Sequence, residues 1–177
     1  MKYMIVDLEA TDPYLTGITE VIEFGYAIVE DNKIQGYGGS FIKPVYSQLT
    51  SVISKLTSIV EDDLKNAPVF EDFLNGFIED FDVTEWVFVA WGDYDKDMLR
   101  RMCLLWNAPE MPFKAHINLA NCHKRFYGFK KQRGLKRALN HAQIELEGFH
   151  HRGVDDAHNT AKIFLDLIGK GWIPEFD

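Results

Sequence analysis

The stretch Tyr3-Met4-Ile5-Val6-Asp7-Leu8-Glu9-Ala10-Thr11 decides how the rest of the chain reads. It has the apolar character of a buried strand, and two carboxylates stand at its C-terminal end. Side chains on a strand alternate with a period of two, so Asp7 and Glu9 share a face, about 7 Å apart along the chain. Two acids side by side repel each other and lose hydration on burial, so such a pair is unfavourable unless something neutralises it. A hard divalent cation with oxygen ligands is the usual neutraliser. The competing reading is an ordinary strand end in solvent, and a bare Asp-x-Glu does not choose between them. The choice rests on whether the chain supplies further acids, a base and a place for a substrate.

Composition narrows the field first. The 177 residues, 46% hydrophobic and 14% aromatic, suit one globular domain (1–177) with a full-sized core. A net charge of −8 argues against a general nucleic-acid coat protein, which would be basic. It leaves room for an enzyme acting on nucleic acid, because metal-holding carboxylates count as negative. Cys103 and Cys122 are too few and too isolated for a disulfide framework or a zinc site. The apolar run before Asp7 is too short for a signal peptide, and no run reaches the length of a membrane span. A soluble, cytoplasmic protein without a membrane partner is expected.

Beyond the first strand, the turn-rich loop Asp12–Gly17 leads to an expected strand at Val21–Val29. A hairpin tip at Glu30–Lys33 then returns a strand from about Ile34 to Ile42. Three successive strands read most simply as an antiparallel meander. Helical spacing follows, with short helices expected around Leu56–Ile59 and Val60–Leu64. The stripe Phe73, Leu74, Phe77, Ile78, Phe81 is explained by core packing alone. Glu85–Trp91 is a continuous apolar run, suited to a strand covered on both faces.

Asp93, Asp95 and Asp97 stand where that strand gives way to a helix. The apolar face Met98, Leu99, Met102, Leu105, Trp106 projects back onto Asp95. Asp97 lies four residues before Arg101, as a surface ion-pair partner would, and Asp93 fits a cap. Asp95 is thus the inward acid, at the C-terminal edge of a strand, where open α/β sheets bind ligands. After a short edge strand at His116–Leu119 and a helix near Ala120–Tyr127, the segment His123–Arg137 holds seven of the 19 basic residues and three aromatics. In an acidic chain that reversal of sign reads either as a solvated surface or as a landing strip for phosphates. In the second reading Lys130, Lys131 and Arg133 meet the backbone, and aromatics are available for stacking. A helix near Leu135–Ala142 follows. Finally His150-His151-Arg152-Gly153-Val154-Asp155-Asp156-Ala157 reads as a mobile loop feeding a last helix, phased so that Asp156 faces inward.

Three segments, Val6–Thr11, Trp91–Asp95 and His151–Ala157, resemble in order the motifs of the DEDDh 3′-to-5′ exonucleases of the ribonuclease H-like (DnaQ-like) superfamily. Glu20–Gly25 and Leu56–Ile59 also resemble family segments, so the likeness covers essentially the whole chain. The branch most resembled is that of the Eri-like and KapD-like exonucleases. The fold this implies is α/β and three-layered: a mixed five-stranded sheet, antiparallel meander then parallel strands, flanked by helices.

The resemblance also implies roles. Asp7, Glu9, Asp95 and Asp156 would hold two ions, Mg²⁺ or Mn²⁺, and His151 would be the general base. Family spacing and helix phase choose Asp156 over Asp155, and spacing chooses His151 over His150. Ala10 and Thr11 would receive the terminal nucleotide, with Tyr94 either stacking on it or belonging to the core. Two metals about 3.5–4 Å apart can activate water and stabilise the leaving 3′ oxygen. A neutral histidine, with an ordinary pKa of about 6.5, can take the water's proton. The expected partner is the 3′ end of single-stranded nucleic acid, RNA favoured over DNA, released as nucleoside 5′-monophosphates. The alternatives are a non-catalytic module of the same fold that binds nucleic acid or a partner, and a nuclease restricted to short oligonucleotides.

Overall fold

The computed structural model describes residues 1–176. One five-stranded sheet runs in the order β3-β2-β1-β4-β5. β1 (Lys2–Ala10), β2 (Val21–Glu30) and β3 (Lys33–Phe41) form an antiparallel meander. β4 (Trp86–Ala90) and β5 (Ala115–Asn118) then add in parallel on the other side of β1. The β2–β3 hairpin turns on Asp31 and Asn32, whose φ angles of 52° and 56° supply the left-handed pair that a tight two-residue turn requires. The mixed sheet inferred from the motifs is the sheet observed.

The alternation along β1 divides its side chains between two cores. Met4, Val6 and Leu8 pack with α3 (Phe70–Asp80) and α4 (Tyr94–Leu105). Tyr3 and Ile5 pack on the opposite face with α5 (Leu119–Phe126), α6 (Leu135–Ala142) and α7 (Gly153–Gly169). The sheet is therefore the middle of three layers, and the period of two assigns Asp7 and Glu9 to the α7 side. On the other side Phe24 meets Phe73 and Phe77 at ring-centroid distances of 5.1 and 4.9 Å. Each such buried ring contributes about 2–3 kcal/mol by area.

Two short helices, α1 (Ser51–Thr57) and α2 (Glu61–Leu64), lie between β3 and α3. The first starts earlier than the sequence suggested and stops where Ser58 turns left-handed at φ 63°. Ile59 is consequently not helical; it is a buried plug against Ile22 and Leu64.

Two glycines set how closely α7 approaches the sheet. A Cβ on Gly25 would lie 1.9 Å from the carbonyl carbon of Gly153, and one on Gly39 would lie 2.6 Å from Cγ2 of Val154. Bare backbone at these points lets the first turn of α7 rest directly on β2 and β3. That contact brings Asp156 to the acids of β1. Among the described residues no helix is long and apolar enough to cross a membrane.

Candidate active site

β1 outruns its neighbour: pairing with β4 ends at Val6↔Ala90, while β1 continues to Ala10. Asp95, in the first turn of α4, takes over there, its Oδ1 accepting the Leu8 N–H at 3.0 Å. This inward acid is buried, whereas Asp97 is exposed and Asp93 occupies the N-cap position without a side-chain cap bond. Carboxylate oxygens of Asp7, Glu9 and Asp156 lie within 4.8 Å of one another. Residues from the beginning and the end of the chain thus converge, with Asp95 tied beside them to the Leu8 amide.

The electrostatics are unfavourable in the absence of a counter-charge. Loss of hydration, then Asp95, Asp156 and Glu9, hold the Asp7 carboxyl well above the usual carboxylate range. Burial first, then Asp156, Glu23 and Asp95, push Glu9 up to about 8. Burial raises Asp95 to about 6 against the opposing bond from Leu8 N–H. Asp156 is also raised by burial, opposed by the His151 amide and by His150. A cluster of carboxylate oxygens in this state fits a hard divalent cation, which takes such ligands and supplies the missing positive charge.

The loop before α7 is fastened at several points. Phe149 N–H donates to Asp155 Oδ2 at 2.8 Å, and the Asn159 side chain bonds the Glu147 backbone N–H and C=O at 3.0 and 2.8 Å. Gly148, at φ 73°, passes so close to the Asp155 carboxylate that a side chain there would collide with it. At the far end, Glu23 of β2 accepts from Arg152 Nε and Nη2 at 3.2 and 3.0 Å and from Gly153 N–H at 2.8 Å. Within this strap His151 N–H donates to Asp156 Oδ2 at 2.8 Å. The His150 ring, not that of His151, lies on Asp156, its Nδ1 at 2.9 and 3.1 Å from the two oxygens. The His151 ring stacks on His150, centroids 4.0 Å apart. Burial, then His150, hold His151 below its ordinary pKa, so its ring is neutral at neutral pH.

The chain matches the family described as Exonuclease (RNase_T) over residues 4–164, from β1 into α7. It belongs to the exonuclease family. The exonuclease is 26% identical over 168 residues to the probable 3′-5′ exonuclease KapD of Bacillus subtilis (strain 168), covering 91% of this chain and 82% of that one. It is 26% identical over 184 residues to the human 3′-5′ exoribonuclease 1, of which it spans about half, 52%. In fold it is similar to the nuclease domain of 3′hExo, a DEDDh family member, bound to rAMP. The TM-score there is 0.90 at 24% identity, covering 99% of this chain and 96% of that one. The chain shares the fold of that DEDDh neighbour, and its clustered acids fit a divalent metal.

Other residues singled out by sequence take varied positions in the exonuclease. Ala10 closes β1 opposite Val21 and is half-buried. Thr11 is buried, its N–H bonded to Glu20 O at 2.8 Å and its hydroxyl to Ser47 Oγ at 2.8 Å and Glu20 N–H at 2.9 Å. These partners make it a tie between loops beside the site. Tyr94, the first residue of α4, is 55% exposed, so it belongs to the surface rather than the core.

Lys130 and Lys131 lie exposed in the loop joining α5 to α6. Arg133 stacks its guanidinium 3.6 Å from the centroid of Phe129, and its carbonyl accepts from Trp91 Nε1 at 3.0 Å. Trp91 directly follows β4, so this bond ties the basic loop to the sheet edge that bears the acids. Tyr127 and Phe129 pack on His123 and His141. Among the described residues His123 has no hydrogen-bond partner at either ring nitrogen, and burial pushes its pKa down to about 4. Those two aromatics therefore build the loop's support.

The sequence reading passed over Glu23 and set His150 aside. An acid inside the apolar run Val21-Ile22-Glu23-Phe24 was the available signal for the first. Family spacing favours His151, and it does not show that the His150 ring is the one lying on Asp156.

Proposed function

We propose that this exonuclease removes nucleotides from the 3′ end of single-stranded nucleic acid, RNA in preference to DNA, releasing nucleoside 5′-monophosphates. The convergence of the Asp7, Glu9 and Asp156 oxygens within 4.8 Å, with a histidine pair beside Asp156, carries this reading. Asp7, Glu9, Asp95 and Asp156 would hold Mg²⁺ or Mn²⁺, two ions in all. When bound, such ions lower the pKa of water and relieve charge on the phosphate and the departing 3′ oxygen.

The chain's own residues do the rest. His151, neutral and half-exposed, accepts the proton of the attacking water, and the strap through Arg152 and Gly153 fixes where its backbone stands. Ala10 and the loop tied by Thr11 form the shelf for the terminal nucleotide. The exposed ring of Tyr94 offers a face for its base. Lys130, Lys131 and Arg133 meet upstream phosphates. The names of relatives support the preference for RNA: one is an exoribonuclease, and one neighbour's structure concerns 3′-end recognition of a histone mRNA stem-loop. A protein–RNA contact at the 2′-hydroxyl is the chemistry that would make that choice.

The test is digestion of 3′- and 5′-labelled RNA and DNA of several lengths with Mg²⁺, Mn²⁺ or EDTA. Expected are 5′-monophosphates released from the 3′ end, faster from RNA, and none with EDTA. Intact substrates in the presence of either metal would overturn the proposal. Turnover confined to the shortest oligonucleotides would replace it with the short-substrate reading.

A further inference from the structure

The acid cluster is built from oxygen donors, but its rim is not. His150 and His151 bring two imidazoles to the side of Asp156, and one ligand atom from each of the three residues lies within 4.8 Å of the others. Imidazole nitrogen is a poor ligand for Mg²⁺ and a good one for borderline metals such as Zn²⁺. His150 gives this group its second nitrogen, and its side chain is 32% exposed, so an ion can reach it from solvent.

We propose that His150, His151 and Asp156 form a second, overlapping transition-metal site that takes Zn²⁺ and shuts the exonuclease when filled. Zinc bonds of about 2.0–2.2 Å in a tetrahedron place ligand atoms about 3.3 Å apart. The three residues approach that spacing, and rotation of the two solvent-facing rings closes the remainder. Two protein nitrogens and one carboxylate oxygen leave a fourth position for water, a coordination that zinc accepts. The backbone beneath is already fixed. Phe149 is held by Asp155, His151 N–H by Asp156, and Arg152 and Gly153 by Glu23. Only the rings have to turn, so little ordering accompanies binding.

The consequence for activity rests on the functional reading above. Zn²⁺ at this site engages the lone pair of His151 that would receive the water's proton. It also withdraws Asp156 from the cluster that serves the catalytic ions. Inhibition therefore follows from two ligands that have another use, while His150 adds affinity for the inhibitor.

The experiment uses the full chain, stripped with chelator, and Zn²⁺ itself as the probe. Calorimetric titration is paired with NMR of ¹⁵N-labelled histidine rings. With excess Mg²⁺ present to occupy the acid cluster, one Zn²⁺ per chain is expected, with the ring signals of His150 and His151 moving together. His150→Asn should weaken binding tenfold or more with an unchanged circular dichroism spectrum, and His150→Gln provides a second variant. In excess Mg²⁺, the Zn²⁺ concentration that halves each protein's own zinc-free rate should rise by the same factor in both variants. Equal zinc affinity and an equal inhibition midpoint in wild type and variants would overturn the site. So would loss of zinc binding in Asp7→Asn with His150→Asn unaffected, because the ion would then sit among the acids. Zinc bound through His150 by a protein that degrades no nucleic acid would leave the site standing and remove the exonuclease reading instead.

Discussion

Glu23 stands opposite Glu9 in the β1–β2 register, and Arg152 closes on it from the loop that carries the histidines. A carboxylate only 2% exposed next to an acid cluster would add to the repulsion there, and the guanidinium converts it into an anchor. Arg152→Ala should destabilise the fold by about 1–3 kcal/mol, because Glu23 loses its counter-charge while staying buried. Glu23→Gln, which keeps the shape, should cost less. Urea midpoints of the two variants check the order, and a larger loss in Glu23→Gln would contradict the anchor.

The contact between β2 and α7 has no spare room at Gly25. Gly25→Ala should cost about 1–3 kcal/mol or more and weaken divalent-metal affinity, since α7 must move away from β1. Gly36 is the control: a Cβ there meets nothing within 4 Å. Thermal melts with and without Mn²⁺ should separate the two substitutions, and equal behaviour would show that the close approach is not needed.

Function and stability should move in opposite directions at Asp7. Asp7→Asn removes one charge from the cluster and should raise the metal-free melting temperature by about 2–4 °C, equivalent to about 1 kcal/mol in a domain of this size. The same change should slow turnover about a thousandfold, the scale of a lost metal contribution. An unchanged rate would mean that the acids are not the centre.

Without metal, stability should fall as pH rises. Glu9 is raised from its ordinary 4.5 to about 8 and Asp95 from 3.8 to about 6, so the folded state holds protons that the unfolded chain has released. Their contribution is fully present below about pH 4 and is lost as pH climbs through about 6 and then about 8. Asp7 and Asp156 move in the same direction, while Arg152, His150 and His151 face the cluster from the strap. Metal competes with those protons, so the gain in melting temperature on adding Mn²⁺ should grow from pH 6 to pH 8. At a hundred times Kd it should reach about 5–10 °C. A gain independent of pH would count against the cluster as the binding site.

For the basic loop, Lys130→Gln with Lys131→Gln and Arg133→Gln should weaken RNA binding. The slope of log K against log salt should lose up to about 2, at about 0.7 per phosphate contact on a single strand. An unchanged slope would return the loop to a purely structural role.

The sequence was most legible where periodicity and burial agree. β1 alternates, α7 presents Asp156 inward, and β4 is apolar throughout, so the sheet and the four acids follow from pattern and motif spacing. Ser58 was opaque because a left-handed serine leaves no local mark, and the helix was drawn too far. The fastening of the strap is not legible in sequence because Glu23, Asp155 and Asn159 bond between distant elements, which local propensity does not carry. Thr11 and the aromatics of the basic segment read in sequence as candidate substrate contacts, and the structure adds bonds and packing within the fold. Their partners, Ser47, Glu20, His123 and His141, come from elsewhere in the chain and give them structural work. The choice between the histidine rings is of the same kind, since it depends on how a backbone with φ 67° at His151 throws two neighbouring side chains.

The acids that meet at the sheet edge come from residues 7, 9, 95 and 156, and the last arrives with α7. During synthesis, β1 leaves the ribosome long before the helix that completes the cluster. A nascent or interrupted chain therefore presents two or three of the carboxylates without Asp156, without the histidines and without the Glu23 anchor. On the proposed reading such a chain holds an incomplete metal site, and turnover begins only when α7 has docked against β1 and brought Asp156 to the cluster.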